Sequence, residues 1–396
     1  MPAGNYDIIT VGGGIAASSL AVAMAARGAR VLVLERERQF KDRVRGEAVV
    51  PWGRADANEL GIGSLLSEKC GHEVPHIETG AGLRDLRATT PQQLPLLSFP
   101  HQAMQETLLA AAENARAEVR RGVSVHHVEP GDKPAVVIDG DNPERISARL
   151  VIAADGRGSP IRKQTRFSVS EQSNDYYMAG VLLAGVGAST DVMHAVFNPE
   201  LGTWTGLIPQ AGGTFRAYLT YPKTAGYRLQ GDSMFEMFLR ESAKAYPPMA
   251  DFCAGAKSIG PLASFDVSDT WVEEPYRDGV ALVGDAAATT DPTYGQGLSF
   301  ALRSARVLRD ELTNNSDWDA AGRRYAEQHR HSFHACHVVE GWMRRIFHDP
   351  SPEAANLRTR VMPLIAEDPT RVPDHILSGP ELPWDEQVRA RLFGEC

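Results

Sequence analysis

The first 35 residues constrain the fold more than any other part of the chain. Asp7 to Val11 is a short apolar run, and Gly12-Gly13-Gly14-Ile15-Ala16-Ala17 follows it as a glycine turn. Ile15 to Arg27 then has a helical pattern, with Leu20, Ala23 and Met24 on one face and Gly28 as its stop. Val31 to Leu34 is a second apolar run. Strands that are apolar throughout, rather than alternating, are buried on both faces, so the unit reads as βαβ with parallel strands. The glycine positions have separate tasks. Gly12 permits the tight turn, Gly14 lets backbone approach a pyrophosphate, and Ala17 takes the third, close-packing position. Free N–H groups at the helix start, Ile15 and Ala16, then face the phosphates. Glu35 stands 23 residues after Gly12, where a carboxylate accepts hydrogen bonds from ribose hydroxyls. The motif reads as a dinucleotide site and does not by itself distinguish FAD from NAD.

Further along, Ser98 to Ala115 has a helical pattern, with Met104, Leu108, Leu109 and Ala112 on one face. Val123–Val128, Ala135–Ile138 and Leu150–Ala153 read as strands. The texture changes between about Ser168 and Asp278. Short alternating segments such as Thr214 to Tyr221, separated by Gly, Pro and Asn, predict a mostly antiparallel sheet. Val280–Val283 returns to a buried strand, and Gly297–Leu312 to an amphipathic helix, so the first domain is left and re-entered. The chain reads as helical to about Met362. From Pro363 its Pro, Asp and Glu content predicts a surface wrap.

Composition removes several function classes. Against 41 basic residues stand 50 acidic ones, a net charge of −9, which argues against a nucleic-acid binder. Cys70, Cys253, Cys336 and Cys396 are widely spaced and form no CxxC, as expected for free thiols in a reduced, cytoplasmic protein and not for a dithiol reductase. No targeting segment is visible, and nothing approaches the roughly 18 apolar residues of a spanning helix, so no membrane partner is expected. His329, His331, His334, Cys336 and His337 share one helical stretch, but no carboxylate–histidine signature accompanies them. A packed or solvated cluster is favoured over a metal site, and no metal is expected.

Three later segments identify the nucleotide by resemblance. Ala154-Asp155-Gly156-Arg157-Gly158-Ser159-Pro160-Ile161-Arg162 resembles the Asp-Gly motif of the para-hydroxybenzoate hydroxylase family, the single-component aromatic flavin monooxygenases. Val283-Gly284-Asp285-Ala286-Ala287, continuing to Asp291-Pro292-Thr293-Tyr294-Gly295-Gln296-Gly297, resembles that family's Gly-Asp motif and following loop. Arg43-Val44-Arg45-Gly46-Glu47 is similar to its arginine-rich turn.

The resemblance implies an α/β fold: a Rossmann-like FAD-binding domain with a parallel sheet, a mostly antiparallel β-sheet substrate domain, and C-terminal helices. The expected organisation is a discontinuous FAD-binding domain from residues 1–75, 96–166 and 279–330. Residues 76–95 and 167–278 form the substrate domain, and 331–396 the helical segment and tail. Asp285 then meets the ribityl hydroxyls, Arg45 the pyrophosphate with Asp155 and Gly156 nearby, and Val125 the adenine, with Arg36 beside Glu35 among the cofactor contacts. Pro292 stiffens the loop, while Gly295, Gln296, Gly297 and Leu298 bring backbone and a positive helix end to the flavin ring. At the start of the helix near residue 101 the family usually has Arg. His101 stands there, and His101, Gln102 or Gln105 takes the polar role.

The implied reaction is hydroxylation of a small, aromatic substrate by NADH or NADPH and O2 through a flavin hydroperoxide, in a monomer or homodimer. Arg43 and Pro292 are the candidates nearest the chemistry, without an assigned base. Trp204, Phe215, Tyr218 and Tyr294 are candidates to line the substrate site, with packing as the alternative for each. No second GxGxxG marks a separate nicotinamide domain, so NAD(P)H is a transient visitor. Rival readings within the fold are a halogenase and an isoprenoid-type reductase. The halogenase should show Trp-x-Trp-x-Ile-Pro, where this chain has Trp204-Thr205-Gly206-Leu207-Ile208-Pro209, and a lysine that Glu73 to Phe99 lacks. A non-catalytic carrier would have lost the Gly295-Gln296-Gly297 contacts.

Overall fold

The computed structural model describes residues 6–44, 46–139 and 143–395. Arg45, expected at the pyrophosphate, lies outside the described residues.

The glycine motif sits where its spacing requires. Strand Tyr6–Val11 runs into Gly12, helix Ile15–Ala25 follows, and strand Val31–Glu35 returns parallel to the first. All five residues of the second strand are buried, as an unbroken apolar run demands. The first strand also pairs in parallel with Glu144–Ala153, which pairs in parallel with Val280–Leu282. The polypeptide thus leaves these parallel strands after Ala153 and re-enters them at Val280, 126 residues lying between. On one face, helices Ile15–Ala25, His101–Asn114, Gly297–Asn314 and Trp318–Phe347 bury Leu20, Leu108, Leu308 and Tyr325 against the sheet. Burial of this kind stabilises by roughly 25 cal/mol per Å² of apolar surface.

Between those visits the chain builds six strands of a second, eight-stranded sheet. Its centre is antiparallel: Val192–Asn198 pairs with Thr203–Pro209, that strand with Phe215–Pro222, and the last with Tyr176–Ala184. A hairpin of His76–Glu78 and Leu83–Asp85 joins the edge through a parallel pairing with Val192–Asn198. The antiparallel reading of this region missed helix Phe235–Ala245, which covers the outer face of the sheet with Phe238. Pro363 does not begin a surface wrap. It lies inside helix Pro352–Glu367, and the segment beyond buries Leu377 against Trp52 and Leu392 and Phe393 against Ile346.

One close approach ties the two visits together. A Cβ added at Gly53 would stand 2.2 Å from Ser299 Oγ, so helix Pro51–Glu59 lies directly on helix Gly297–Asn314. Asp56 then accepts from Arg303 Nε at 2.6 Å and from Arg306, which pins the second helix along its length.

Candidate active site

A single cavity of about 1380 Å³ runs between the two sheets. Its floor begins at the glycine turn. Gly12 holds φ +100°, and a Cβ there would meet the Ala154 carbonyl at 2.4 Å, so no larger residue fits. Gly14 also lines the cavity, but a Cβ there would meet no protein atom. The close contact that excludes a side chain at Gly12 is with protein; the space beside Gly14 is left for a ligand. Helix Ile15–Ala25 starts at that space with no side-chain cap, and Ile15 and Ala16 line it. Ala17 is wholly buried and lines nothing, which is the packing part of its motif position.

Glu35 is held by Gly13 N–H at 2.6 Å and Glu37 N–H at 2.8 Å, one on each carboxylate oxygen, and still lines the cavity. Arg36, Val125, Gly156 and Arg43 line it too, the last with Nη2 2.9 Å from Glu37. His101 and Gln105 line it and Gln102 does not. His101 Nδ1 lies 2.8 Å from the Gly46 carbonyl. Asp155 also borders the cavity, but its carboxylate accepts from Ser159 Oγ at 2.6 Å and Ile161 N–H at 3.2 Å. Burial raises its pKa, and those bonds counter the rise. Its local work is to fix the turn into helix Pro160–Gln164. Ser124 and Gln164, which the sequence did not single out, complete this end.

Asp285 enters from a tight turn directly after strand Val280–Leu282. Next comes the loop Asp291–Gly297. Asp291 caps its turn by accepting from Thr293 N–H at 2.9 Å, Gly295 takes φ +67°, and Pro292, Gly295, Gly297 and Leu298 face the cavity. Helix Gly297–Asn314 starts here without a side-chain cap. Gln296 is a correction. It is fully buried behind the loop, where its amide meets Glu340, and does not line the cavity.

Behind the loop sits a buried polar cluster with no sequence signature. Asp291 accepts from Asn174 Nδ2 at 2.9 Å and from Arg344 Nη2 at 3.0 Å. Arg344 Nη2 is also 4.0 Å from Asp269. Burial, with Asp269 and Asp291 adding to it, pushes the Glu340 carboxyl well above the usual carboxylate range, against the pull of Arg344. Asp269, His337 and Glu340 bring possible ligand atoms within 4.8 Å of one another, but Arg344 already supplies positive charge alongside. The other helical histidines are dispersed: His334 meets Glu273 at 2.9 Å, His329 is buried near Ser304, and His331 faces Trp384.

The opposite wall is the inner face of the second sheet. Trp204, Tyr218 and Ile208 line it. Gly206 and Gly180 make room for the two rings: a Cβ at either would lie 2.3 Å from Trp204 or 2.5 Å from Tyr218. Tyr294 lines the cavity from the loop side. Phe215 is the second correction. Side chains alternate along a strand, so Phe215 faces the outer side with Ala217 and Leu219, under helix Phe235–Ala245, while Tyr218 faces in.

Sequence reasoning also passed over Glu47. It lines the cavity, and its carboxylate holds Arg216 through Nε at 2.6 Å and Nη2 at 2.8 Å. Arg216 Nη2 continues to Asp42 at 3.2 Å. Burial pushes the Glu47 carboxyl up to about 7, against the pull of Arg216 in the other direction. Its carboxylate neighbours the Tyr218 hydroxyl.

The family described as FAD binding domain matches residues 5–328 of this chain. The chain belongs to the FAD-dependent aromatic hydroxylase family. Among curated relatives of this family, it is 27% identical over 324 residues to the 6-methylpretetramide 4-monooxygenase of Streptomyces rimosus, covering 76% of this chain and 73% of that one. It is 26% identical over 361 residues to the rifampicin monooxygenase of Streptomyces venezuelae, covering 88% and 73%. Its fold superimposes on that of an HpxO variant from Klebsiella pneumoniae complexed with FAD, with TM-score 0.76, 23% identity, and 95% and 100% of the two chains covered. The residues fit the family's cofactor: the side-chain-free gap at Gly14, the uncapped helix start and Glu35 form one continuous groove. No helix among the described residues is long and apolar enough to cross a membrane.

Proposed function

We propose that this chain is a single-component monooxygenase that hydroxylates an aromatic substrate at the junction of the FAD groove and the apolar wall of the second sheet. The observation that carries the reading is the continuity of one cavity, from the Gly14 gap, past the Pro292 loop, to Trp204 and Tyr218. When bound, FAD takes a hydride from NADH or NADPH and, once reduced, activates O2 so that one oxygen atom enters the substrate and the other leaves as water.

The chain's own residues orient, desolvate and move a proton. Gly12, Gly14, Ile15, Ala16 and Glu35 hold the nucleotide end, with Arg36 and Val125 around it. Asp285 holds the middle of the cofactor. Gly295, Gly297 and Leu298, backed by Pro292, hold its ring end, where the helix start stabilises negative charge. His101 and Gln105 face the same space, and Arg43 stands at its edge. Trp204 and Tyr218 form a flat apolar wall that excludes water. Glu47 is the group placed to accept a proton from a substrate hydroxyl, directly or through Tyr218, because it is ionised above about pH 7 and lines the cavity.

In this reading residues 1–75, 96–166 and 279–330 make the FAD-binding domain, 76–95 and 167–278 the substrate domain, and 331–396 the C-terminal segment. The strand pairings support that division. The free thiols of Cys70, Cys253 and Cys336 support a cytoplasmic enzyme; a monomer or homodimer is the assembly this reading expects.

Anaerobic reduction of the bound flavin by NADH and by NADPH, with and without a panel of phenols, aminobenzoates and hydroxypyridines, tests the function. One aromatic compound should accelerate reduction and then appear hydroxylated when O2 is admitted. A flavin that neither nucleotide reduces, but that works when reduced flavin is supplied from outside, would overturn the single-component assignment.

A further inference from the structure

We infer that the chamber beyond the Pro292 loop takes an extended, multi-ring apolar substrate rather than a single ring, admitted between the hairpin at residues 76–85 and the C-terminal segment 362–377, with Arg84 and Asp374 as a latch across the mouth. This deepens the oxygenase reading and rests on it.

Three observations carry it. The first is extent. The cavity of about 1380 Å³ has to hold the cofactor and the substrate together. The FAD groove accounts for only one end. The other continues past Tyr294 to Phe197, Met343, Phe347, Ile365, Val372 and Ile376, without a charged side chain among them. A single ring would leave most of that apolar surface wet.

The second is the rim. Among the described residues, five large apolar side chains are exposed, and two of them border this cavity. Leu83 is 60% exposed on the hairpin and Met362 is 41% exposed on helix Pro352–Glu367. Exposed apolar side chains that border a cavity mark a path for apolar ligands.

The third is the latch. Arg84 and Asp374 both line the cavity and join the two rims through paired bonds, Nη1–Oδ1 at 2.6 Å and Nη2–Oδ2 at 2.8 Å. Each side chain is about 30% exposed, at 29% and 30%, so the pair adds little to stability and exchanges readily with water. Arg84 is aimed by its own hairpin, with Nε donating to Thr89 Oγ1 at 2.7 Å. The hairpin turn contains Gly80 and Gly82, at φ +85° and +130°, a backbone that residues with a Cβ rarely adopt.

The test uses the oxidised, FAD-loaded full chain without NAD(P)H. Phenol, 1-naphthol and 1-hydroxyanthraquinone are titrated against it, and the change in flavin absorbance reports binding. Affinity should rise on the order of fivefold or more with each added ring. Affinity that is flat or falls with ring number, or no binding by any of the three, would overturn the inference. Ile365→Trp, which fills the far end from a helix surface, should weaken the three-ring probe at least tenfold and leave phenol unchanged. Arg84→Gln and Asp374→Asn should each speed release of the three-ring probe several-fold without changing the release of phenol. Equal effects on all probes, or none, would remove the latch. Because binding is read without turnover, a protein that binds the three-ring probe tightly but shows no substrate-stimulated reduction refutes the oxygenase reading and leaves the shape of the chamber intact.

Discussion

Two glycines in one turn should fail in opposite ways when each is changed to alanine. At Gly12 the backbone holds φ +100°, and a Cβ would lie 2.4 Å from the Ala154 carbonyl oxygen. The unfavourable φ costs about 1–2 kcal/mol, and forcing a methyl into packed backbone adds roughly 1–3 kcal/mol. Gly12→Ala should therefore lose about 2–5 kcal/mol of stability even without FAD. At Gly14 φ is −70°, which alanine adopts freely, and the added Cβ would meet no protein atom. Stability of the flavin-free protein should fall by less than about 1 kcal/mol, the scale of a weakened helix N-cap. The methyl would instead occupy the space of the pyrophosphate and remove at least one charge-assisted hydrogen bond, worth about 1.5–3 kcal/mol. At 1.4 kcal/mol per decade that is about a 10- to 100-fold loss of FAD affinity. Flavin-free protein prepared from both variants would be melted by circular dichroism and titrated with FAD by fluorescence quenching. Gly14→Ala protein that binds FAD as tightly as wild type, or that melts as low as Gly12→Ala, would refute the assignment of that space to the cofactor.

Other outcomes follow from the same geometry. With the Glu47 carboxyl at about 7, substrate hydroxylation should rise with pH through that value; Glu47→Gln should flatten the profile and slow turnover about 10²- to 10⁴-fold, read by stopped-flow absorbance. Arg344→Met strands the buried Asp291 and Asp269 carboxylates and should cost about 3–5 kcal/mol in urea unfolding, with weaker flavin retention because Asp291 caps the loop. Burial lowers His329 and His348 from 6.5 to about 4, so the unfolded chain takes up their protons first as pH falls. Their stabilisation is complete above 6.5 and is lost as pH drops through about 4, up to roughly 3 kcal/mol each. His329→Gln should make the pH dependence of the urea midpoint shallower across that window. Trp204→Leu should raise the substrate KM while Phe215→Leu leaves it unchanged, a pair that separates the two faces of the sheet.

The parts of this fold that could be read from the residues are those whose determinants are local. A strand buried on both faces leaves an unbroken apolar run, and a turn that presses on backbone at 2.4 Å must have glycine, so Tyr6–Glu35 was legible to within a residue or two. The Trp204 and Phe215 assignments show where local signals stop. Every residue of Thr203–Pro209 is buried, as is every residue from Phe215 to Tyr221, because helix Phe235–Ala245 covers the outer face as fully as the cavity side is covered. With no polar face left, alternation assigns the two sides but cannot say which one meets a ligand. The charged groups were hidden for a different reason. Glu47 finds Arg216 across 169 residues and Asp291 finds Arg344 across 53, and neither pairing carries a spacing rule. That distance also explains Gln296. A polar residue between two cavity-facing glycines is a natural candidate for the cofactor, yet Glu340, buried on the long helix Trp318–Phe347, offers it a partner on the inner side. An unpaired buried amide costs roughly 1–3 kcal/mol, so the side chain turns inward and leaves only backbone facing the cavity. The shape of this loop is therefore set as much by a helix some fifty residues downstream as by the glycines that announce it.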